Sequence, residues 1–389
     1  MNKKLIALAI ASAISAPAMA ATGNVDVYGL LSGGVDSVTN AYNGGTPATT
    51  GTTRVGRVSD YASRIGFKGS EDLGNGLSGI WQIEQAIQIN GGNATQNLSG
   101  AGGLGGGNLR NTFVGLKSKD IGTVLIGKHD MPYKISTARL DIFADTLGDY
   151  NGVVGAGYSG INAAVPNASA NYFDVRPANV AAYISPSFGG ASFVGAYVFG
   201  NATATNQVDK SGYAYSLAGM YDAGPLYLTA AFEKHNSGST GVGSLGYGGV
   251  NSGLDRKAWK VGAGYSIMDF TLAALYEKSS DNFATTFGHH TWYLSGKYQM
   301  GAVALKAAYA KASSAGSAAN QGGAKQYSLG ADYGFSKRTT VYALYTHIAN
   351  DSNAQYNFAD NVNPVTGSGT NGITGATLSG FSLGVKHAF

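Results

Sequence analysis

Short segments in which apolar and polar side chains alternate recur along almost the whole chain, and turn residues separate them. In Leu77–Ile89 one parity reads Leu, Gly, Trp, Ile, Gln, Ile, Ile, and the other parity is mostly polar. In Trp259–Tyr265 one parity reads Trp, Val, Ala, Tyr, whereas Lys260 lies among glycines on the other. A two-residue period is typical of β-strands with one apolar face. The pattern therefore predicts an all-β chain.

The number of these segments favours a barrel. We count sixteen strands, and bacterial outer-membrane barrels have an even strand number. In a soluble β-protein, the aromatic-rich faces of so many strands would need one very large common core, so we favour a 16-stranded antiparallel transmembrane β-barrel. The predicted strands lie near residues 23–35, 54–69, 77–90, 110–118, 121–129, 178–186, 190–200, 211–222, 225–236, 256–267, 270–280, 290–300, 302–312, 325–335, 338–348 and 379–389.

The composition agrees with a membrane barrel and excludes several other classes of protein. The 389 residues include 59 glycines and 24 tyrosines, only 12% are charged, and none is cysteine. Barrel exteriors need apolar and aromatic side chains, and barrel interiors need small polar ones. The absence of cysteine excludes disulfides, thiol catalysis and Cys-ligated zinc. The basic residues are dispersed, so we expect no nucleic-acid partner.

Residues 1–20 have the pattern of a secretory signal peptide. A basic start at Lys3 and Lys4 precedes an apolar run, and Ala18-Met19-Ala20 is a small-residue cleavage site. The apolar run is too short for a membrane-spanning helix. We therefore expect cleavage after Ala20, with residues 21–389 forming the exported barrel.

The connections between the predicted strands alternate between short and long. Short periplasmic turns and long outer loops are characteristic of outer-membrane barrels. The longest connection spans 129–177, shows no sustained helical or strand period, and carries both acidic and basic residues. An irregular loop of this length in a compact domain is usually functional. We expect it to fold into the barrel mouth and narrow the pore.

Three stretches carry a family resemblance. They are Ser63–Gly74, which reads SRIGFKGSEDLG, the pair Asn111–Leu116 and Ile121–Lys128, and the terminal Phe389. With them the chain resembles the Gram-negative general porins, in particular the trimeric porins of β-proteobacteria. The resemblance implies a sixteen-stranded barrel, a homotrimer and a third outer loop folded inward. It also implies that acidic residues of this loop face basic residues of the wall.

The resulting candidates for the pore constriction are Arg64, Lys68 and Arg110 on the wall and Asp141, Asp145 and Asp149 on the loop, with Arg139 of the loop joining the basic group. A charge facing lipid at mid-bilayer costs about 2–4 kcal/mol, so strand-borne charges are expected in the lumen. The lumen-wall candidates are Glu84, Lys260, Lys297, Lys306 and Lys386. Phe389 is expected to anchor the last strand at the membrane interface.

These features predict a water-filled channel for passive diffusion of ions and small hydrophilic solutes across the outer membrane. The excess of lumenal cations predicts a mild anion preference. We expect no cofactor, no metal site and no catalytic role, and we expect contacts with outer-membrane lipid and lipopolysaccharide. The alternative is a non-channel barrel that acts as an adhesin or envelope tether.

Overall fold

The computed structural model describes residues 24–42, 51–90, 109–155, 173–200, 211–238, 255–282, 288–314, 322–352, 354, 356–359 and 375–389. The predicted signal peptide, residues 1–20, lies outside these ranges. Within them, every strand belongs to one antiparallel sheet that closes through pairing of the first and last strands. The strands are β1 (Asn24–Tyr42), β2 (Gly51–Asp60), β3 (Arg64–Gly74), β4 (Leu77–Ala86), β5 (Thr112–Ser118), β6 (Gly122–Lys128), β7 (Val180–Ile184), β8 (Ala191–Val198), β9 (Ser211–Ala223), β10 (Leu226–Gly238), β11 (Asp255–Ile267), β12 (Phe270–Asp281), β13 (His290–Met300), β14 (Val303–Ala312), β15 (Ala324–Gly334), β16 (Thr339–Asn350) and β17 (Thr377–Ala388).

These seventeen segments make sixteen barrel strands, because β2 and β3 are two parts of one strand. Both pair with β1, β2 along its second half and β3 along its first half. The break between them contains Ala62 in the left-handed region at φ 58°. Ser63 of the break accepts a 2.9 Å hydrogen bond from the Ser32 backbone N–H of β1. The prediction of a closed 16-stranded antiparallel barrel is thus confirmed.

The first strand is longer than the sequence predicts. It continues to Tyr42, whereas the alternation of apolar residues stops at Val35. Beyond Val35 the outward positions are Ser37, Thr39 and Ala41, and these still pair with β17 in register. Backbone pairing continues there without an apolar face, which is why periodicity alone places the boundary too early.

Alternation along the strands separates an apolar outer surface from a polar interior. On β11, Trp259 is 41% exposed whereas its neighbour Lys260 is fully buried. Val261 and Tyr265 face outward on the same parity as Trp259. Among the described residues, no helix has the length and hydropathy of a membrane span.

The last residue closes the barrel against the first strand. The backbone N–H of Gly29 donates to the Phe389 carbonyl at 3.0 Å, and the Phe389 N–H donates to the Gly29 carbonyl at 3.1 Å. The Phe389 ring lies directly over Gly29, where a Cβ atom would come within 2.3 Å of Cζ. Any side chain at position 29 would displace the ring.

The buried apolar side chains lie inside the barrel, beneath the long connection between β6 and β7. This connection, which we call the inner loop (residues 129–177, described at 129–155 and 173–177), contains a short helix α1 (Pro132–Thr137). It also contains two 3₁₀ turns, Ala138–Leu140 and Tyr150–Gly152. The sequence shows no sustained period there because none of these elements exceeds six residues.

Candidate functional site: the inner loop and the barrel wall

The two ends of the inner loop are joined by a hydrogen bond and an ion pair beside the end of β6. The Met131 backbone N–H donates to the Val175 carbonyl at 3.1 Å. The Arg176 guanidinium pairs with Asp130 at 2.9 Å, and Asp130 also accepts from the Asn111 side chain at 3.0 Å. These contacts close the base of the loop.

The first part of the loop lies against the inner wall of β9 to β12. The backbone N–H of Tyr133 donates to the Ser216 hydroxyl at 2.9 Å, and its phenol donates to Glu277 at 2.8 Å. The Tyr227 hydroxyl donates to the Ser136 carbonyl at 2.6 Å. Lumenal side chains of three strands therefore bind α1.

The next part of the loop passes β14 and β17 and is held by lumenal lysines. Lys306 donates to the Ile142 carbonyl at 3.2 Å, and Lys386 donates to the Ala144 carbonyl at 2.5 Å. Both ammonium groups also lie near aromatic rings, 4.7 Å from the centroid of Phe143 and 5.8 Å from that of Tyr342. These two lysines position loop backbone.

At Asp145 the loop continues along the wall from β17 to β1 and β3. The Asp145 carboxylate pairs with Arg64 of β3 at 3.3 Å, and the Asp145 carbonyl accepts from the Ser32 hydroxyl of β1 at 3.2 Å. Asp145 has φ 54°, a left-handed conformation that aspartate tolerates better than most residues. The turn at Asp145 directs its carboxylate toward Arg64 on the wall.

Asp141 and Asp149 have a different role from Asp145. Asp141 is buried and accepts from the backbone N–H groups of Phe143 at 2.9 Å and Tyr150 at 3.1 Å, and from the Tyr293 hydroxyl at 3.2 Å. Asp149 accepts from two loop backbone N–H groups at 2.8 and 3.2 Å. Both carboxylates hold the loop's own backbone, and among the described residues neither forms an ion pair with Arg64, Lys68 or Arg110.

Burial also changes the acidity of these two loop carboxyls. It raises the pKa of Asp141 to about 6, against hydrogen bonds that favour the charged form. Burial, together with the negative charge of Asp141, raises the pKa of Asp149 well above its ordinary value. The fold therefore disfavours two charges at this point of the loop.

Arg139 does not join the basic group of the wall. Its guanidinium pairs with Asp222 of β9 and lies 4.2 Å from the centroid of the Tyr227 ring on β10. Arg64 lies on β3, and five strands separate β3 from β9 along the sheet. The expectation that Arg139 adds to the basic cluster is wrong, because lumenal partners on the far wall hold it.

The basic side chains of β3 and the segment before β5 form a cluster with Glu84. Arg110 pairs with Glu84 at 2.5 Å, and the Tyr28 hydroxyl donates to the other carboxylate oxygen at 2.9 Å. The Lys68 ammonium lies 5.4 Å from the centroid of the Tyr28 ring. That ring packs over Gly66, where a Cβ would come within 2.2 Å of it. The cluster thus brings Lys68 and Arg110 to one part of the wall.

The remaining lumen-wall candidates lie on the inward parity of their strands. Lys260 is buried and pairs with Asp174 of the loop at 2.5 Å. Lys306 pairs with Asp332 at 2.8 Å, and Lys297 lies directly opposite Lys306 on the neighbouring strand. Lys260 therefore has a structural partner in the loop as well as its place on the wall.

The inner loop covers most of the wall and leaves one part open. Buried apolar side chains of the loop belong to two clusters, and these clusters also include buried side chains from each of β6 to β17 and from β1. Among the described residues, β3 and β4 contribute no buried side chain to either cluster, and β5 contributes only the partly buried Phe113. The open part of the wall is the part that carries Arg64, Lys68, Glu84 and Arg110.

Sequence reasoning missed the buried network that fastens the returning half of the loop. Glu277 accepts from Tyr133 and from the Gly155 backbone N–H at 3.0 Å, beside the pair of Lys260 and Asp174. Strand parity places Lys260 in the lumen. It could not supply the partner, because Asp174 is 86 positions from Lys260 in the chain.

Comparison with known proteins agrees with this architecture. A family model described as Gram-negative porin matches residues 7–353. The chain belongs to the Gram-negative porin family. It is an outer-membrane porin, whose barrel allows passive diffusion of ions and small hydrophilic solutes.

Curated relatives and solved structures are similar over most of the chain. Major outer membrane protein P.IB of Neisseria gonorrhoeae is 29% identical over 355 residues, which cover 88% of this chain and 92% of the relative. The anion-selective porin from Comamonas acidovorans has a TM-score of 0.70 at 22% identity, covering 94% of this chain and all of that chain. A trimer form of OmpT, an outer membrane protein of Vibrio cholerae, has a TM-score of 0.59 at 15% identity, covering 94% and 99%. These structures share the barrel fold.

Proposed function

We propose that the narrowest part of this porin lies between the tip of the inner loop and the open wall of β3 to β5. The constriction then consists of Arg64, Lys68 and Arg110 on the wall, Glu84 between them, and Asp145 on the loop. The observation that carries the proposal is the contact of the loop with the open wall at Asp145, whose carboxylate forms an ion pair with Arg64.

We infer a mild anion preference from the charges that remain at this place. Three cations, Arg64, Lys68 and Arg110, face two carboxylates, Glu84 and Asp145, which leaves a net charge of +1 (3 − 2). Asp141 and Asp149 are held by loop backbone and hydroxyl donors, so they add little negative potential to the passage. The anion selectivity named for the Comamonas acidovorans porin supports the same sign.

The preference is tested by the reversal potential of the purified porin in a planar bilayer under a KCl gradient. We expect a chloride-to-potassium permeability ratio above one that falls toward one in Lys68→Gln. The matched control is Lys119→Gln, which removes a lysine from an exposed turn between β5 and β6. A cation preference in the unaltered protein would overturn the proposal.

We further propose that the porin is a homotrimer without catalytic activity, that residues 1–20 are removed on export, and that the outer surface contacts membrane lipid and lipopolysaccharide. The trimer form of a structural relative supports the first point. Light scattering of the detergent-solubilised protein should give a mass of three chains. Conductance steps in groups of three would support one channel in each of three subunits.

A further inference from the structure

Inside the barrel, the side chain of Tyr28 on β1 spans the neighbouring strand β3 and reaches β4. In the sheet register Tyr28 lies opposite Gly66 of β3, and Gly66 lies opposite Glu84 of β4. Neighbouring strands are about 4.8 Å apart, so the backbones of β1 and β4 are separated by about 10 Å at this level. The phenol bridges this gap, because its hydroxyl donates to Oε2 of Glu84 at 2.9 Å.

The bridge depends on the absence of a side chain at Gly66. A Cβ atom there would come within 2.2 Å of Cζ and 2.5 Å of the hydroxyl oxygen of Tyr28. These distances are too short for any contact between unbonded atoms, so a side chain at position 66 would force the ring away from Glu84. Gly66 therefore lets a residue of β1 control a carboxylate of β4.

Lys68 lies beside two carboxylates on this part of the wall and pairs with neither. Asp26 of β1 is its direct cross-strand partner, and Glu84 is its diagonal neighbour on β4, two residues from Gln82. Direct and diagonal neighbours are both within reach of a long side chain. Among the described residues, however, Lys68 forms no ion pair and is exposed to the lumen. Its ammonium lies instead 5.4 Å from the centroid of the Tyr28 ring.

The Tyr28 hydroxyl also supplies a donor to the carboxylate oxygen that Arg110 leaves free. Oε1 of Glu84 pairs with Arg110 at 2.5 Å, and Oε2 accepts from Tyr28. The Glu84 side chain is buried, so water has little access to replace a missing donor. Without the hydroxyl, Oε2 would be a buried charged acceptor in need of a partner, and the ammonium of Lys68 is within reach.

We propose that Tyr28 is a specificity-determining residue of this porin, because it keeps Lys68 unpaired and leaves its charge available to permeating inorganic anions. The ring holds the ammonium away from both carboxylates, and the hydroxyl satisfies Glu84. Tyr28 carries no charge, so it is a positioning residue that acts through Lys68 and Glu84. The inference rests on the proposed function in one respect, since it takes Lys68 as part of the constriction.

The inference is tested by the reversal potential of Tyr28→Phe in a planar bilayer under a KCl gradient. The variant keeps the ring over Gly66 and removes only the hydroxyl, so Oε2 of Glu84 loses its donor and attracts Lys68. The chloride-to-potassium permeability ratio should therefore fall, by up to the amount that Lys68→Gln loses.

The control for this substitution is Tyr183→Phe. It removes the same hydroxyl from a tyrosine that donates to the Ile121 carbonyl at 2.6 Å, at an exposed position away from the wall of β3 to β5. The permeability ratio should stay that of the unaltered protein.

Double variants separate positioning from a general structural role. In Tyr28→Phe/Lys68→Gln the charge on which Tyr28 acts is absent, so the permeability ratio should equal that of Lys68→Gln alone. In Tyr28→Phe/Glu84→Gln the carboxylate that would attract Lys68 is absent, so the ratio should equal that of Glu84→Gln alone. A tyrosine that merely supports the fold would change the ratio by the same factor in every background.

Two further measurements examine the geometry directly. A crystal structure of Tyr28→Phe should show the Lys68 ammonium within about 4 Å of a Glu84 oxygen, the distance of an ion pair. Gly66→Ala displaces the ring and should lower the permeability ratio as Tyr28→Phe does. Its control is Gly219→Ala, where the added Cβ meets no atom within 4 Å.

An unchanged permeability ratio in Tyr28→Phe would overturn the inference, as would an equal decrease with and without Lys68. Failure of the proposed anion preference gives a different result. If the unaltered protein prefers cations, that preference is wrong, but Tyr28→Phe should still shift the ratio further toward potassium. The unaltered protein therefore tests the proposed function, and the difference between variant and unaltered protein tests the role of Tyr28.

Discussion

Arg64 of β3 and Asp145 of the inner loop form an ion pair at 3.3 Å that joins the tip of the loop to the part of the wall it leaves open. Both side chains are less than a third exposed. A partly exposed pair of this kind contributes on the order of 1 kcal/mol or less. Its main effect is therefore on the potential inside the passage and not on the stability of the barrel.

Removal of the loop carboxylate should strengthen the anion preference. In Asp145→Asn, Arg64 loses its ion pair and the net charge at the proposed constriction rises from +1 to +2 (1 + 1). The chloride-to-potassium permeability ratio should increase, and the increase should shrink with added salt because screening is stronger. Asp72→Asn, in an exposed stretch at the end of β3, is the control and should leave the ratio unchanged.

Loss of Lys260 should loosen the inner loop. Lys260→Met leaves Asp174 buried without its cation beside Glu277, and breaking a buried pair from one side costs about 3–5 kcal/mol. Single-channel recordings should show frequent conductance fluctuations. The double variant Lys260→Met/Asp174→Leu should restore quiet openings, because it removes both charges. Equally quiet recordings from the single variant would contradict an anchoring role.

The packing of the inner loop should weaken as pH rises. The pKa of Asp141 is raised by burial to about 6, from an ordinary value of about 3.9. The packed loop therefore binds the proton more tightly than an unpacked loop does, and this stabilisation is complete below about pH 4 and lost as pH rises through about 6. The raised pKa of Asp149 acts in the same direction.

Hydrogen exchange of the backbone amides in 141–150 measures this effect. After correction for the intrinsic exchange rate, protection should be greater at pH 4.5 than at pH 7.5. Asp141→Asn keeps an acceptor oxygen without the charge and should reduce the difference. Greater protection at the higher pH would show that the sign is wrong.

A side chain at position 29 should impair closure of the barrel. Gly29→Ala places a Cβ within 2.3 Å of the Phe389 ring, and overpacking of this kind costs about 1–3 kcal/mol. The temperature at which the folded form unfolds in detergent should fall. The matched control is Gly219→Ala, at a position with no atom within 4 Å of the added Cβ. An equal effect of both substitutions would show that the ring contact contributes nothing specific.

The barrel could be predicted from the sequence because the alternation that defines each strand lies within a few consecutive residues. Alternation fixes which side chains of a strand face the lipid, and the parity of Trp259 and Lys260 is read within two residues. The break between β2 and β3 was not visible in the pattern. Both parts pair with β1, and each part alternates regularly on its own. The interruption at Ala62 therefore leaves no irregular pattern within either part.

The roles of the loop acids could not be predicted from the sequence. Asp141, Asp145 and Asp149 are the same residue type at spacings of four. Only the turn at Asp145, with its left-handed backbone, decides which of them reaches Arg64. Arg139 was misassigned for the same reason, because its partner Asp222 is 83 positions away in the chain.

The coverage of the wall by the inner loop divides the chain into two parts with separate tasks. Strands β6 to β17 and β1 hold the loop in place, whereas the open face belongs to a compact stretch that ends before the loop begins. Permeation can therefore change through substitutions in that early stretch while the scaffold behind the loop stays constant. A chimera that takes residues 64–118 from a relative would acquire the wall side of the relative's constriction. It would keep the rest of this protein's barrel and its inner loop.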